Sequence, residues 1–149
     1  MSAVIKKPKN LGPIYTIVDD PEYKELESYM AIAREGTDDI KYPYKTYINK
    51  AHIKICFNYP LAKEFIFEFD APNGKYFTHG NIAKIIRETY KYIYDEEEKS
   101  TEIAIGTIPN MLNRNTTDGK YGIWGHSIED LLLNCLYKKG DIYYMSIDS

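Results

Sequence analysis

The densest run of residues able to do chemistry is Tyr121, Gly122, Ile123, Trp124, Gly125, His126 and Ser127, with Glu129 and Asp130 just beyond. It holds the only tryptophan, a histidine, two carboxylates, and two glycines that let backbone approach a ligand. As a ligand site, His126 would be base or ligand, Glu129 or Asp130 its orienter, and Trp124 a wall. As plain architecture, Trp124 plugs the core, the glycines shape a turn, and His126 with Ser127 caps the next element, all without a substrate. His79 and Gly80 form a second candidate, because the unpaired N–H groups at a helix start attract an anion. Asn73, Gly74 and Lys75 stand close by, but the Gly-rich spacing and the Lys-Ser/Thr pair of a phosphate loop are missing.

Metal chemistry finds no footing, since no pair of Cys or His residues has zinc-ligand spacing, and His52, His79 and His126 would have to converge in space. Cys56 and Cys135 lie among Ile, Phe and Leu, which is the surrounding of an inert, reduced core thiol. No cofactor, metal or catalytic set is therefore expected, and the chain reads as a non-enzyme. Tyr44, Lys45, Tyr47 and Lys50, beside Lys41 and Tyr42, make a third candidate: aromatic and basic residues interleaved along a strand could stack on single-stranded nucleic acid. A net charge of -3, with 19 Lys and Arg against 22 Asp and Glu, argues against a broad nucleic-acid footprint. Tyrosines that cover a core margin or meet a protein partner explain the same pattern.

These residues need elements to position them. Ile82, Ile85, Ile86, Tyr90 and Ile93 recur at helical steps, with Lys84, Arg87, Glu88, Lys91 and Asp95 opposite. The spacing predicts a helix from Asn81 to Asp95, capped by Thr78 or Asn81 and about 24 Å long. Glu96, Glu97 and Glu98 fall at its negative dipole end, so fraying is expected there. Asp20, Pro21 and Glu22 read as a helix start, with Tyr23, Leu26, Met30 and Ala33 in helical register until Gly36, which predicts a second helix from Pro21 to Glu35.

Period-two alternation marks strands: Ile53, Ile55 and Phe57, stopped by Pro60, then Phe65, Phe67 and Phe69, joined as an antiparallel hairpin. Thr101 to Ile108 reads as a further strand. Ser127 could cap a helix with Ile128, Leu131, Leu132, Cys135 and Leu136 on one face, yet Leu131, Leu133, Cys135 and Tyr137 alternate equally well as a strand. The hairpin-like Lys138 to Asp141 and the β-forming Ile142, Tyr143 and Tyr144 favour a capped turn at Ser127 to Asp130 before two antiparallel strands. Residues 1–12, with Lys6, Lys7 and Lys9, look like a flexible basic arm, and 13–149 like a single domain. The expected fold is α+β: an antiparallel sheet of five or six strands packed against one long central helix, with a second, N-terminal helix.

The segments from Gly74, Lys75, Tyr76, Phe77 and Thr78 through Tyr94, from Tyr121 to Leu131, and the terminal Ile147, Asp148 and Ser149 resemble pieces of small uncharacterised proteins of large DNA viruses that infect amoebae. The preference for Lys, Ile, Asn and Tyr is similar to their AT-rich coding. The resemblance covers about half the chain and brings no catalytic residue with it. It implies a viral product made in host cytoplasm and packed in the virion. No run of 18 apolar residues occurs, so no membrane span is expected. The leading expectation for function is a non-enzymatic protein that acts through a protein partner or self-association, using exposed tyrosines or its last strand as a free sheet edge. The alternative is a small-ligand or nucleic-acid binding module at the Trp124/His126 region or the Tyr44–Lys50 strand.

Overall fold

Thr78 starts the long helix. In the computed structural model, which describes the backbone of residues 3–6 and 17–18 and the whole of 30–108 and 113–149, its hydroxyl accepts from the Asn81 N–H at 2.9 Å. The Asn81 side chain in turn accepts from the Thr78 N–H at 2.9 Å, so each residue satisfies an N–H that the helix cannot. Helix α1, His79–Ser100, is 22 residues long and buries Ile82, Ile85, Ile86, Tyr90 and Ile93, the expected stripe. It outruns the expected bounds at both ends. The helix begins two residues earlier, at His79, with Thr78, one of the two expected caps, as its N-cap, and the fraying expected at Glu96–Glu98 is absent because Glu97 is fully buried and hydrogen-bonded.

The strands are β1 (Ala3–Lys6), β2 (Ile17–Val18), β3 (Met30–Ala31), β4 (Thr46–Ile48), β5 (His52–Phe57), β6 (Phe65–Asp70), β7 (Phe77–Thr78), β8 (Leu132–Lys139) and β9 (Ile142–Asp148). Strands β6, β5, β9, β8 and β3 form, in that order, a curled half-barrel, while β4 and β7 make a separate pair. The backbones of β1 and β2 run parallel to β6 and β8. The β5–β6 and β8–β9 hairpins are antiparallel as expected, but β9 pairs parallel with β5, so the sheet is mixed rather than antiparallel. That pairing also corrects the idea of the last strand as a free edge. Tyr143 and Met145 of β9 are buried, and both of its edges are occupied.

Phe57, Phe67 and Phe69 of the hairpin, Leu133 and Leu136 of β8 and Met30 of β3 close on the helix stripe in one core. Phe57 meets Tyr90 edge-on at 5.1 Å, so the sheet's inward face and the helix interlock through aromatic edges. The second helix does not extend to Glu35: Met30–Ala31 is a strand paired with β8, and a turn follows. Met30 is better buried as part of the sheet than as one position of an amphipathic stripe. Residues 21–29 lie outside the described residues, and of the basic arm only Ala3–Lys6 lies within them. The strand expected over Thr101–Ile108 is an exposed extended segment bridged only at Thr107, since its isoleucines have no core to alternate against.

The start of α1 is closed by chain rather than open to solvent. The Gly80 N–H donates to the Pro43 carbonyl at 2.7 Å, and the His79 N–H to the Lys45 carbonyl at 2.9 Å. A Cβ on Gly80 would lie 2.7 Å from that Pro43 oxygen. Gly80→Ala is therefore expected to lower stability by about 1–3 kcal/mol through overpacking, seen as a lower denaturant midpoint at unchanged slope.

Candidate functional site

Three side chains on one flank of α1 hold the loops that carry the candidate residues. Tyr90 Oη donates to the Tyr59 carbonyl at 2.7 Å, and Tyr94 Oη donates to the His126 carbonyl at 2.9 Å. Burial pushes both phenols above their ordinary pKa, which keeps them donors. One turn on, the Glu97 carboxylate accepts from the Thr117 hydroxyl at 2.7 Å and from the N–H groups of Gly119 (2.8 Å), Tyr121 (2.8 Å), Gly122 (3.0 Å) and Ile123 (3.4 Å). The segment Thr117–Ile123 thus wraps one buried anion. Gly119 is required there, because a Cβ would fall 2.6 Å from Glu97 Oε1. Buried Arg114 donates to the same Thr117 hydroxyl at 3.2 Å and lies over the Tyr94 ring, closing the turn from the other side.

This wrapping delivers Trp124 and His126 to the surface beside Tyr59. The three rings touch one another, with centroids 5.2 Å apart for Tyr59–Trp124, 5.7 Å for Tyr59–His126 and 5.6 Å for Trp124–His126. They pack against one another and fill the space between them, and Trp124 also lines an open cleft with Ala62, Lys63, Phe65 and Thr116. Tyr59 Oη lies 3.0 Å from His126 Nε2 and 2.6 Å from Ser149 Oγ, which is itself 3.3 Å from that nitrogen. Trp124 is 41% exposed, so it is not the core plug of the architectural reading. Glu129 and Asp130 are both exposed. Asp130 accepts from the Ser127 N–H at 3.0 Å and caps the short 3-10 turn Ile128–Asp130. Among the described residues neither carboxylate bonds the imidazole, so the expected orienter is replaced by Tyr59 and Ser149, two residues that sequence spacing could not bring near His126.

Beside the corner lies a ladder of three extended segments. Thr107 bridges Arg114, and Arg114 bridges Gly125. The Ile108 N–H donates to Asn113 O at 3.0 Å and the Asn115 N–H to Gly106 O at 2.9 Å. Two strand spacings, about 10 Å, thus separate Thr107 from Gly125, the neighbour of Trp124. Ile103, Ile105 and Ile108 are 42%, 44% and 37% exposed.

The other candidates have different fates. His79 does not mark an anion site: carbonyls take the first helix N–H groups, and its ring lies 4.4 Å from Tyr47. Tyr47 is not a stacking platform, because its hydroxyl is buried, and Lys50 sits over the Tyr143 ring at 5.9 Å. Tyr44 and Lys45 are exposed. His52 stands between Asp70 (2.8 Å) and Glu68 (3.1 Å), so the three histidines have separate partners, and no metal-binding group occurs among the described residues. Cys56 and Cys135 are buried; burial pushes the Cys56 thiol up to about 12 and also raises Cys135, in keeping with inert thiols. No helix among the described residues is long and apolar enough to cross a membrane. No family model, curated protein or solved structure matches this chain.

Proposed function

We propose that this chain is a non-enzymatic binding protein that docks onto another protein, a second copy of itself in the first instance, through the ladder bearing Ile103, Ile105, Ile108 and Trp124. The observation that supports it most is the exposure of four large apolar side chains, from 37% to 44%, on backbone held by specific bonds: the Asn115 side chain accepts from the Gly106 N–H and donates to the Ala104 carbonyl, both at 2.8 Å, and the Trp124 N–H donates to the Pro60 carbonyl at 3.1 Å. Apolar groups on a rigid support are what a docking surface needs, because little conformational freedom remains to be lost on binding, and tryptophan is the residue most often found at binding hot spots. The small-ligand alternative at Trp124 and His126 has less to recommend it, since the rings fill the space between them. The setting that goes with this reading is the one the viral resemblance implies, host cytoplasm and the virion.

Sedimentation with parallel fluorescence tests it. The wild type is expected to sediment heavier than one chain, with Trp124 emission shifting to the blue as concentration rises. The Ile103→Asp, Ile105→Asp double variant should stay at the mass of one chain. A wild type that remains a strict monomer, with unmoved emission and no co-purifying partner, would overturn the reading.

A further inference from the structure

The loop between Gly36 and β4 is held from beneath and presents aromatic rings outward. Asp39 is clamped by Arg87, Lys45 N–H donates to Tyr42 O at 3.0 Å, and the Pro43 and Lys45 carbonyls receive the first helix N–H groups. On this support Tyr42 and Tyr44 are 73% and 90% exposed. Tyr42 takes a φ of +54°, a left-handed conformation unfavourable for a bulky side chain. Strain of this kind persists where neighbours enforce it, and it gathers at recognition sites. Exposed Lys41 and Lys45 flank the rings.

Charge points to the partner's chemistry. Within the loop, from Ile40 to Ile48, Lys41 and Lys45 are the only charged residues, although the whole protein is net -3; the acidic side chains Glu68 and Asp70 lie further on, across β5 from Lys54 and His52. The nearest carboxylates before the loop are Asp38, exposed at its start, and Asp39, engaged by Arg87. We propose that the Lys41–Lys45 loop binds single-stranded nucleic acid, with Tyr42 and Tyr44 stacking on bases and Lys41 and Lys45 meeting flanking phosphates. A protein partner fits less well. Hot-spot aromatics sit in packed apolar surroundings that exclude water, whereas Lys41, Lys45 and Thr46 leave these rings in open polar surface. A base needs only a ring face and a nearby cation.

The test is fluorescence anisotropy of a labelled oligo-dT strand against the full chain at increasing salt. Tyr42→Ala with Tyr44→Ala should weaken binding about thirtyfold or more, as two stacks are lost. Lys41→Gln with Lys45→Gln should reduce the log–log salt slope by about 1.4. Both variants should keep the wild-type melting curve, since they alter exposed side chains, and Trp124→Ala should keep the affinity, which separates this proposal from the protein-docking reading. Absence of saturable binding at low salt, unchanged affinity in the tyrosine variant, or equal competition by a duplex or by polyglutamate would overturn it; the last would indicate an acidic protein instead.

Discussion

Replacing Glu97 by glutamine is expected to remove about 3–5 kcal/mol of stability, the largest effect of any single substitution considered for this chain. The carboxylate is fully buried and accepts from one hydroxyl and four backbone N–H groups of Thr117–Ile123. Glutamine keeps one acceptor oxygen but turns an NH2 group toward N–H donors, leaving several of them buried and unpaired. Against a total of about 5–15 kcal/mol for a domain, that loss should lower the melting midpoint by about 10 °C or more. Calorimetry reads the global effect, and amide exchange at Tyr121 and Gly122 should show where it begins. The docking surface should fail with it, because the same wrapping delivers Trp124.

The pH dependence has a definite sign. Burial by itself would raise the Glu97 pKa, but the bonds from Thr117, Tyr121, Gly119 and Gly122 outweigh it and hold the carboxyl below its ordinary value. A folded pKa below the unfolded one means stability that is fully present above the ordinary glutamate value of about 4.3 and is lost as pH falls through the depressed folded value. Wild type should therefore lose stability on acidification below about pH 4.3, and Glu97→Gln should show a shallower fall over that window.

Much of the frame is legible in the residues. Ile82, Ile86, Tyr90 and Ile93 announce the core helix because only one face of it can be dry, and Phe65, Phe67 and Phe69 announce β6 for the same reason. The same stripe, carried one turn on, lands on Glu97. A lone carboxylate in register with an apolar face is a signal of a buried, hydrogen-bonded anion, here obscured by its two glutamate neighbours. Arginine use holds a second signal. This chain prefers lysine, yet two of its three arginines, Arg87 and Arg114, are buried, where a planar fork that reaches several acceptors outperforms an ammonium. Strand order left no such trace. Local alternation specifies which face of β9 is buried but carries nothing about the partner at each edge, so the parallel pairing with β5 is invisible until the chain is folded. Tyr59 and Ser149 reach His126 by the same long-range route, across 67 and 23 residues.

The second large effect should come from Arg87→Met, about 3 kcal/mol, with a different territory. Arg87, with its side chain only 4% exposed, donates to both Asp39 oxygens (2.9 and 2.7 Å), to Ala31 O (3.0 Å) and to Gly36 O (2.7 Å). One helix side chain thus ties the end of β3 and the start of the Tyr42–Tyr44 loop to α1. Methionine fills the volume but leaves those acceptors without donors. Asp39 recovers some water because its side chain is 21% exposed, which keeps the loss below that of Glu97→Gln. Lysine should not rescue, since an ammonium cannot serve this spread of acceptors in one plane. The hydrogen bond from Arg87, opposed by burial and aided by its charge, holds the Asp39 carboxyl below its ordinary value, so this contribution too is present above about pH 3.9 and lost as pH falls through the folded value. Amide exchange should quicken at Ile40 and Lys45 while Tyr121 and Gly122 stay protected, and oligonucleotide binding should weaken while self-association through Trp124 survives. Glu97→Gln should show the reverse, because each buried charge braces one of the two surfaces and α1 alone is common to both.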